Sequence, residues 1–300
     1  MKKARTVFDG ESDKREYVAL CEAEYEADLD LAVRKVLSVA DCRIVTLSGP
    51  TCSGKTTTAR KLISEFSEAG RRVHVVSIDD FYLDREILLK RSAGGPIDFD
   101  SPSTIDIDTF GEVVDDILCG RATHLPKFDF RVGKRVATEK IDPDDRDVFV
   151  FEGIQAIYPA VTSLFSSHRY VSVQTYAEEG ILLDGFEVDR TELRLLRRLV
   201  RDYNFRGATP TFTMELWQGV RANEEKHIVP YLGTSDVCIN STLAYEISAL
   251  KPYLIPLLLA LPSDNEYRER AGALLEVLAH IDEISKIYIP ENSVYREFLG

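Results

Sequence analysis

Short apolar runs alternate along the chain with longer segments whose apolar residues recur at helical spacing. Residues 43–48, 72–78, 147–151, 170–173 and 235–240 are brief and rich in Val, Ile and Phe, and they read as strands buried in a sheet. Between them, residues 107–118, 190–206 and 265–284 carry apolar residues three and four apart, the signature of amphipathic helices. Residues 17–39 read as one or two helices, with Val18, Leu20, Leu29, Leu31, Val33 and Val36 as candidate buried positions. Residues 244–261 are helical in pattern but contain Pro252 and Pro256, which predict interruptions. Residues 125–136 alternate apolar and polar side chains around Gly133 and predict a short β-hairpin. Strands alternating with helices imply a mainly parallel sheet covered on both faces, an α/β architecture.

The segment joining the first strand to its helix adds chemistry to this pattern. Gly49-Pro50-Thr51-Cys52-Ser53-Gly54-Lys55-Thr56 fits G-x-x-x-x-G-K-[ST], a phosphate-binding loop. Gly49 and Gly54 let the backbone curl so that successive N–H groups face one phosphate. The helix that starts there adds the positive end of its dipole. Lys55 supplies a charge for the β- and γ-phosphates, and the Thr56 hydroxyl is a Mg²⁺ ligand. Thr51, Ser53 and Thr57 complete the expected nucleotide-binding set. Cys52 lies inside the loop. Its thiol is either activated by the helix N-terminus or an inert small side chain.

Other candidates fall at strand ends, where ligands bind in α/β sheets. Asp79 and Asp80 follow the second strand, and Glu152 follows the third in a position suited to the Mg²⁺ shell. On the helix at 190–206, Arg194, Arg197, Arg198 and Arg201 share one face, opposite Leu195, Leu196 and Leu199. Composition sharpens that observation. The 300-residue chain has a net charge of −13, so a local arginine stripe is a candidate phosphate clamp rather than part of a general nucleic-acid surface. The five cysteines form no C-x-x-C pair, and the five histidines are as scattered, which predicts neither a disulfide framework nor a zinc site. No signal peptide or membrane-spanning run is recognised, so a cytoplasmic location is expected.

Several motifs then fall in one order: the phosphate loop, Ser77-Ile78-Asp79-Asp80-Phe81-Tyr82, Phe99-Asp100-Ser101-Pro102, Pro126-Lys127-Phe128-Asp129-Phe130, Phe151-Glu152-Gly153-Ile154 and Arg194-Leu195-Leu196-Arg197-Arg198. In this order they resemble the uridine kinase / phosphoribulokinase family of P-loop kinases. The closer resemblance, carried by residues 201–207, 217–231 and 293–300, is to bacterial uridine-kinase-like nucleoside kinases. In that branch a TGS and threonyl-tRNA-synthetase-like half often precedes the kinase. About forty residues precede the first strand here, so that half is not expected.

The resemblance implies a role for each matching residue. Asp79 takes the proton from the attacking hydroxyl. Tyr82 and Asp100 line the nucleoside site, with Asp100 on the ribose hydroxyls, and Phe128 stands beside the base. Glu152 belongs to the Mg²⁺ shell. Arg194 and Arg197 are lid arginines, Arg194 on the acceptor and Arg197 on the phosphates with Arg198. Two positions depart from the family: Gly133 stands where uridine kinases carry a histidine that reads the pyrimidine, and Ser101 replaces the histidine before proline.

The expectation is therefore a three-layer α/β P-loop kinase fold with a mainly parallel five-stranded sheet, a β-hairpin and helical lid, and added terminal helices. Residues 1–40 form an acidic helical extension, 41–241 the kinase domain, and 242–300 a helical segment packed on it. The expected activity is ATP- and Mg²⁺-dependent phosphorylation of a small molecule, foremost the 5′-OH of a ribonucleoside such as uridine or cytidine. A kinase of another polyol or sugar phosphate, or an ATP-binding switch, is the alternative. Neither nucleic acid nor membrane is an expected partner, and homo-oligomerisation is left open.

Overall fold

The computed structural model describes residues 1–92, 97 and 101–300. The loop glycines Gly94 and Gly95, the Phe99-Asp100 pair and the ribose role expected of Asp100 lie outside the described residues.

In chain order the strands are β1 (Lys2–Lys3), β2 (Ile44–Ser48), β3 (Arg72–Ser77), β4 (Thr123–Asp129), β5 (Lys134–Ile141), β6 (Asp147–Glu152), β7 (Tyr170–Tyr176), β8 (Ile181–Leu183), β9 (Phe186–Val188) and β10 (Val237–Asn240). The helices are α1 (Glu11–Ser38), α2 (Lys55–Glu68), α3 (Arg85–Arg91), α4 (Ile107–Leu118), α5 (Pro159–Thr162), α6 (Arg190–Arg206), α7 (Pro210–His227), α8 (Glu246–Leu259), α9 (Arg268–His280) and α10 (Arg296–Leu299).

The main sheet is parallel throughout, in the order β10-β7-β2-β6-β3. Every residue of β2 is buried, as its apolar run predicts for the middle of the sheet. β3 was expected to be buried too, but it pairs only with β6, and Val75 is 38% exposed. The apolar run alone does not separate an edge strand from a central one. The opposite edge, β10, is covered by α1, whose Asp28 carboxylate accepts the Asn240 amide at 3.1 Å. The predicted hairpin forms from β4 and β5. A small sheet, β1-β8-β9, was not legible because its strands are only two or three residues long.

α1 is one helix, and Val18, Leu29, Val33 and Val36 are buried as expected. Leu20 and Leu31 are instead exposed, at 62% and 55%. The buried stripe runs through Cys21, Tyr25 and Ala32, and helical geometry turns positions 20 and 31 away from it. α8 also corrects an expectation: it passes through Pro252 and Pro256 without a break. Pro252 cannot donate to the Ser248 carbonyl, and the Ile284 amide takes that carbonyl at 3.1 Å. α9 is shorter than its pattern, because Ile281 and Ile284 are buried in the connection that follows it.

Both ends of the chain pack against the phosphate-loop region. Tyr25 of α1 bonds Thr58 of α2 at 2.7 Å. The Glu22 carboxylate accepts from Tyr245 at 2.6 Å and Ser293 at 2.5 Å, joining α1 to α8 and to the final segment. The five cysteines are free thiols, and among the described residues no helix is long and apolar enough to cross a membrane.

At the start of β6 the buried Asp147 carboxylate accepts two bonds from Arg72, each 2.6 Å, and the Asp144 amide at 2.9 Å. Burial pushes this carboxyl up, but these donors and the neighbouring His74 outweigh it and hold it below its ordinary value. A depressed carboxyl stabilises the fold above its unfolded value of about 3.9 and loses that contribution as pH falls through the folded value. Asp147→Asn should therefore cost on the order of 1–2 kcal/mol at pH 7 and less near pH 3, read from urea midpoints. An equal loss at both pH values would show that the charge does not matter.

Candidate active site

The phosphate loop closes between β2 and α2. At Gly49 an added Cβ would lie 2.1 Å from the Thr175 carbonyl oxygen, so only glycine passes under β7. Gly54 has φ +88°, and a Cβ there would meet Val294 at 2.2 Å. The loop's carbonyls are taken one after another. Pro50 O accepts from Lys55 Nζ at 3.1 Å, Thr51 O from Arg194 Nε at 2.9 Å, and Cys52 O from Arg197 Nη1 at 3.0 Å. Ser53 O accepts from the Thr175 hydroxyl at 3.2 Å and Gly54 O from the Thr58 amide at 2.9 Å. With the carbonyls engaged outward, the amides of Gly54, Lys55 and Thr56 open the first turn of α2, and among the described residues no acceptor takes them. That is the arrangement an anion requires. Ser53 and Thr57 are buried in the turn, Thr51 is half-buried and Thr56 is exposed. Cys52 is only 2% exposed, so its thiol is packed away, as the inert reading expects.

The arginine stripe of α6 requires a correction. Arg194, Arg197 and Arg198 were expected on phosphates or acceptor, yet all are buried and paired with carboxylates. Arg197 has no exposed surface, and each of its five N–H donors has an acceptor: Glu246 through Nε and Nη2 at 2.8 and 2.5 Å, the Ser241 hydroxyl and carbonyl at 3.2 and 2.7 Å, and Cys52 O. It has no donor left for a phosphate. Arg194 pairs with Glu224 of α7 while holding Thr51 O. Arg198 lies 3.2 Å from Asp202 and against Trp217. An acidic chain can bury an arginine face by providing carboxylates on neighbouring helices, and a helical wheel of α6 alone cannot show them. Arg194 and Arg197 brace the loop from behind.

In front of the loop a cavity of about 470 Å³ is lined by Lys55, Thr56, Asp79, Glu152, Arg201 and Arg206, among others. Asp79 and Glu152 come together because β3 and β6 are neighbours, with Ser77 in register with Glu152. Burial pushes the Asp79 carboxyl above its ordinary value, opposed by Gln155, the Lys55 charge and Tyr82. Burial raises Glu152 likewise, against its Ser77 hydrogen bond and Lys55. On its cationic side the cavity has Arg206 and, of the four stripe arginines, Arg201, which bonds Asp202 through Nε and Nη2 at 2.9 and 2.7 Å. Among the described residues no group of three or more His, Cys, Asp or Glu side chains could hold a metal alone. One hydroxyl and one carboxylate beside a phosphate loop nonetheless fit Mg²⁺, which takes few protein ligands and completes its shell with phosphate oxygens and water.

On the far side of Asp79, Gln155 is wholly buried and was not singled out in the sequence. Its Nε2 donates to Asp79 Oδ1 at 3.0 Å and to the Tyr82 hydroxyl at 2.7 Å, fixing both. Asp80 is structural: it accepts Lys127 Nζ at 2.8 Å and the Phe128 amide at 3.0 Å, pinning the hairpin to the end of β3. Tyr82, Phe128 and Phe130 pack edge to face with centroids 5.2–5.8 Å apart. Phe128 was expected beside a base, but Tyr82 and Phe128 are 4% and 6% exposed while Phe130 is 52% exposed. Phe130 presents the exposed ring, because it lies in the turn just past the end of β4 rather than in the strand with Phe128. Ser101 accepts the Ser103 amide at its own 3-10 turn.

A parallel sheet with a phosphate loop after β2 and carboxylates at the ends of β3 and β6 is that of a P-loop kinase. Residues 44–248 match the Phosphoribulokinase / Uridine kinase family, and the chain belongs to it. It is 28% identical over 175 residues to a uridine kinase of Ureaplasma urealyticum, an alignment covering 58% of this chain and 76% of that protein. It is 27% identical over 197 residues to a uridine kinase of Halalkalibacterium halodurans, covering 65% and 84%. The structure of a possible uridine kinase from Bacillus stearothermophilus superposes with a TM-score of 0.42 at 20% identity, covering 50% of this chain and 79% of that one. The family implies nucleotide use and a small-molecule substrate.

The burial of Arg197 sets an expectation a phosphate clamp would not meet. Arg197→Ala strands Glu246 in the interior and should cost about 3–5 kcal/mol of unfolding free energy, measured by denaturant titration without nucleotide. Unchanged stability would return Arg197 to the clamp role.

Proposed function

We propose that the protein transfers the γ-phosphoryl group of ATP, with Mg²⁺, to the 5′-OH of a ribonucleoside such as uridine or cytidine. The observation that supports this most is the single cavity in which Lys55 and Thr56 of the phosphate loop face Asp79 and Glu152. Lys55 is half-buried and folded back on Pro50 O, within its own loop, so a bound phosphate has only to draw it off one carbonyl. Thr56 and Glu152 are the residues that would hold Mg²⁺, which when bound neutralises charge between the phosphates. Asp79, oriented by Gln155, accepts the proton of the attacking hydroxyl. Arg201 and Arg206 supply positive charge opposite the carboxylates. The Phe130 ring beside Tyr82 offers a stacking surface for a base, and the relatives named uridine kinase support a nucleoside in that place.

One observation favours a second reading, a kinase of a sugar phosphate or another polyol. At Gly133, where uridine kinases carry the base-reading histidine, a Cβ would lie 2.8 Å from Arg85 Cβ, and φ is +76°. Arg85 fills that place and donates to Phe130 O at 2.8 Å. An exposed guanidinium at the acceptor end suits an anionic acceptor.

Steady-state kinetics on ribonucleosides, one 2′-deoxynucleoside and a set of sugar phosphates separate the two. The nucleoside reading expects turnover of uridine or cytidine. Activity confined to sugar phosphates would move the protein to the second reading, and ATP hydrolysis indifferent to every acceptor would make it a switch. Lys55→Ala should lower kcat roughly 10²-fold or more. Asp79→Asn should lower kcat with nucleotide affinity largely kept. Near-normal turnover in Lys55→Ala would contradict phosphoryl transfer at this loop.

A further inference from the structure

Beside the catalytic cavity lies a second one of about 500 Å³, and its wall is built from the end of the chain. The two cavities share Thr56, Phe205 and Glu297. Lys55, Asp79 and Glu152 line the first and not the second, whereas Thr57 and Arg60 of α2 line only the second. A triphosphate on the loop with its γ-phosphate toward Asp79 therefore has its other end at this junction. Residues 291–300 lie outside the 44–248 span that matches the family.

The chemistry of the junction selects its occupant. Glu297 Oε2 is buried, and among the described residues no donor reaches it. A carboxylate oxygen accepts hydrogen bonds and repels phosphate, so its partner must donate; a ribose hydroxyl does. The same cavity is lined by Phe205, which is 56% exposed, and by Asn292, also exposed, an aromatic face and an amide. The wall is held in place. Val294 packs on Gly54, Phe298 lies under Arg197 at 5.3 Å, and the Tyr295 hydroxyl donates to Glu246 O at 3.1 Å.

We propose that residues 291–300 form the donor-nucleoside site: Glu297 accepts a ribose hydroxyl of the nucleoside triphosphate, Phe205 stacks on its base, and Asn292 bonds the base edge. This rests on the reading of the phosphate loop as a donor site. It makes the final segment part of nucleotide binding rather than packing alone.

Calorimetric titration of the full chain tests it with Mg²⁺ complexes of ATP, 2′,3′-dideoxy-ATP and tripolyphosphate. Phe205→Ala should weaken ATP about tenfold and leave tripolyphosphate unchanged. Glu297→Ala should weaken ATP toward the affinity of the dideoxy analogue without weakening that analogue or tripolyphosphate. ATP bound equally by wild type and both variants would overturn the proposal. So would equal losses for ATP and tripolyphosphate, which would make these residues supports of the loop. If the wild-type protein bound tripolyphosphate and ATP with the same affinity, there would be no nucleoside site to assign; if it bound neither, the kinase reading itself would fail.

Discussion

The guanidinium of Arg197 is the point on which the site depends. A buried charge is tolerated only when paired and fully hydrogen-bonded, and Arg197 meets that condition by joining three parts of the chain. Glu246 neutralises it from α8, Ser241 receives it after β10, and Cys52 of the phosphate loop accepts its remaining donor. Because the pair sits in low dielectric, loss of either partner leaves the other stranded. The Cys52 carbonyl is fixed by the same requirement, and a peptide whose carbonyl is held outward presents its amide side inward. Arg194 does the same for Thr51 through Glu224. The loop backbone is thus held by bonds within the protein, and Lys55, bonded to Pro50 O, is the side chain that a phosphate would have to draw away.

This divides α6 along its length. Arg194 and Arg197, nearer its N-terminus, hold loop carbonyls, while Arg201 and Arg206, nearer its C-terminus, line the cavity. Asp202 lies at the boundary and pairs with Arg198, Arg201 and Arg206. The terminal segments reinforce the same place. α1 reaches α2 through Tyr25 and Thr58, and the final segment reaches Gly54 through Val294 and Glu246 through Tyr295. Residues far from the phosphate loop in sequence are therefore joined to its geometry by short chains of hydrogen bonds.

The parts legible from the chain are those whose chemistry is local. The phosphate loop, the ends of α4 and α6, the hairpin, and the carboxylates at strand ends all follow from spacing and residue type. What could not be read depends on partners distant in sequence. Nothing near Arg197 signals Glu246, nothing near Pro252 signals the Ile284 amide, and the alternation of β4 does not say which of Phe128 and Phe130 faces outward. Gln155 follows Glu152 closely, yet only the neighbouring placement of β3 and β6 brings it to Asp79. The family resemblance assigned lid roles to α6 arginines by position along the helix, and the pairing of Arg194 and Arg197 with carboxylates of α7 and α8 could not be read from that position.

A crystal structure with Mg²⁺ and a non-hydrolysable ATP analogue tests the central claim most directly. The account predicts Arg197 still bound to Glu246 and the Cys52 carbonyl, with Lys55, Arg201 and Arg206 on the phosphates. Arg197 withdrawn from Glu246 and seated on the γ-phosphate would contradict it.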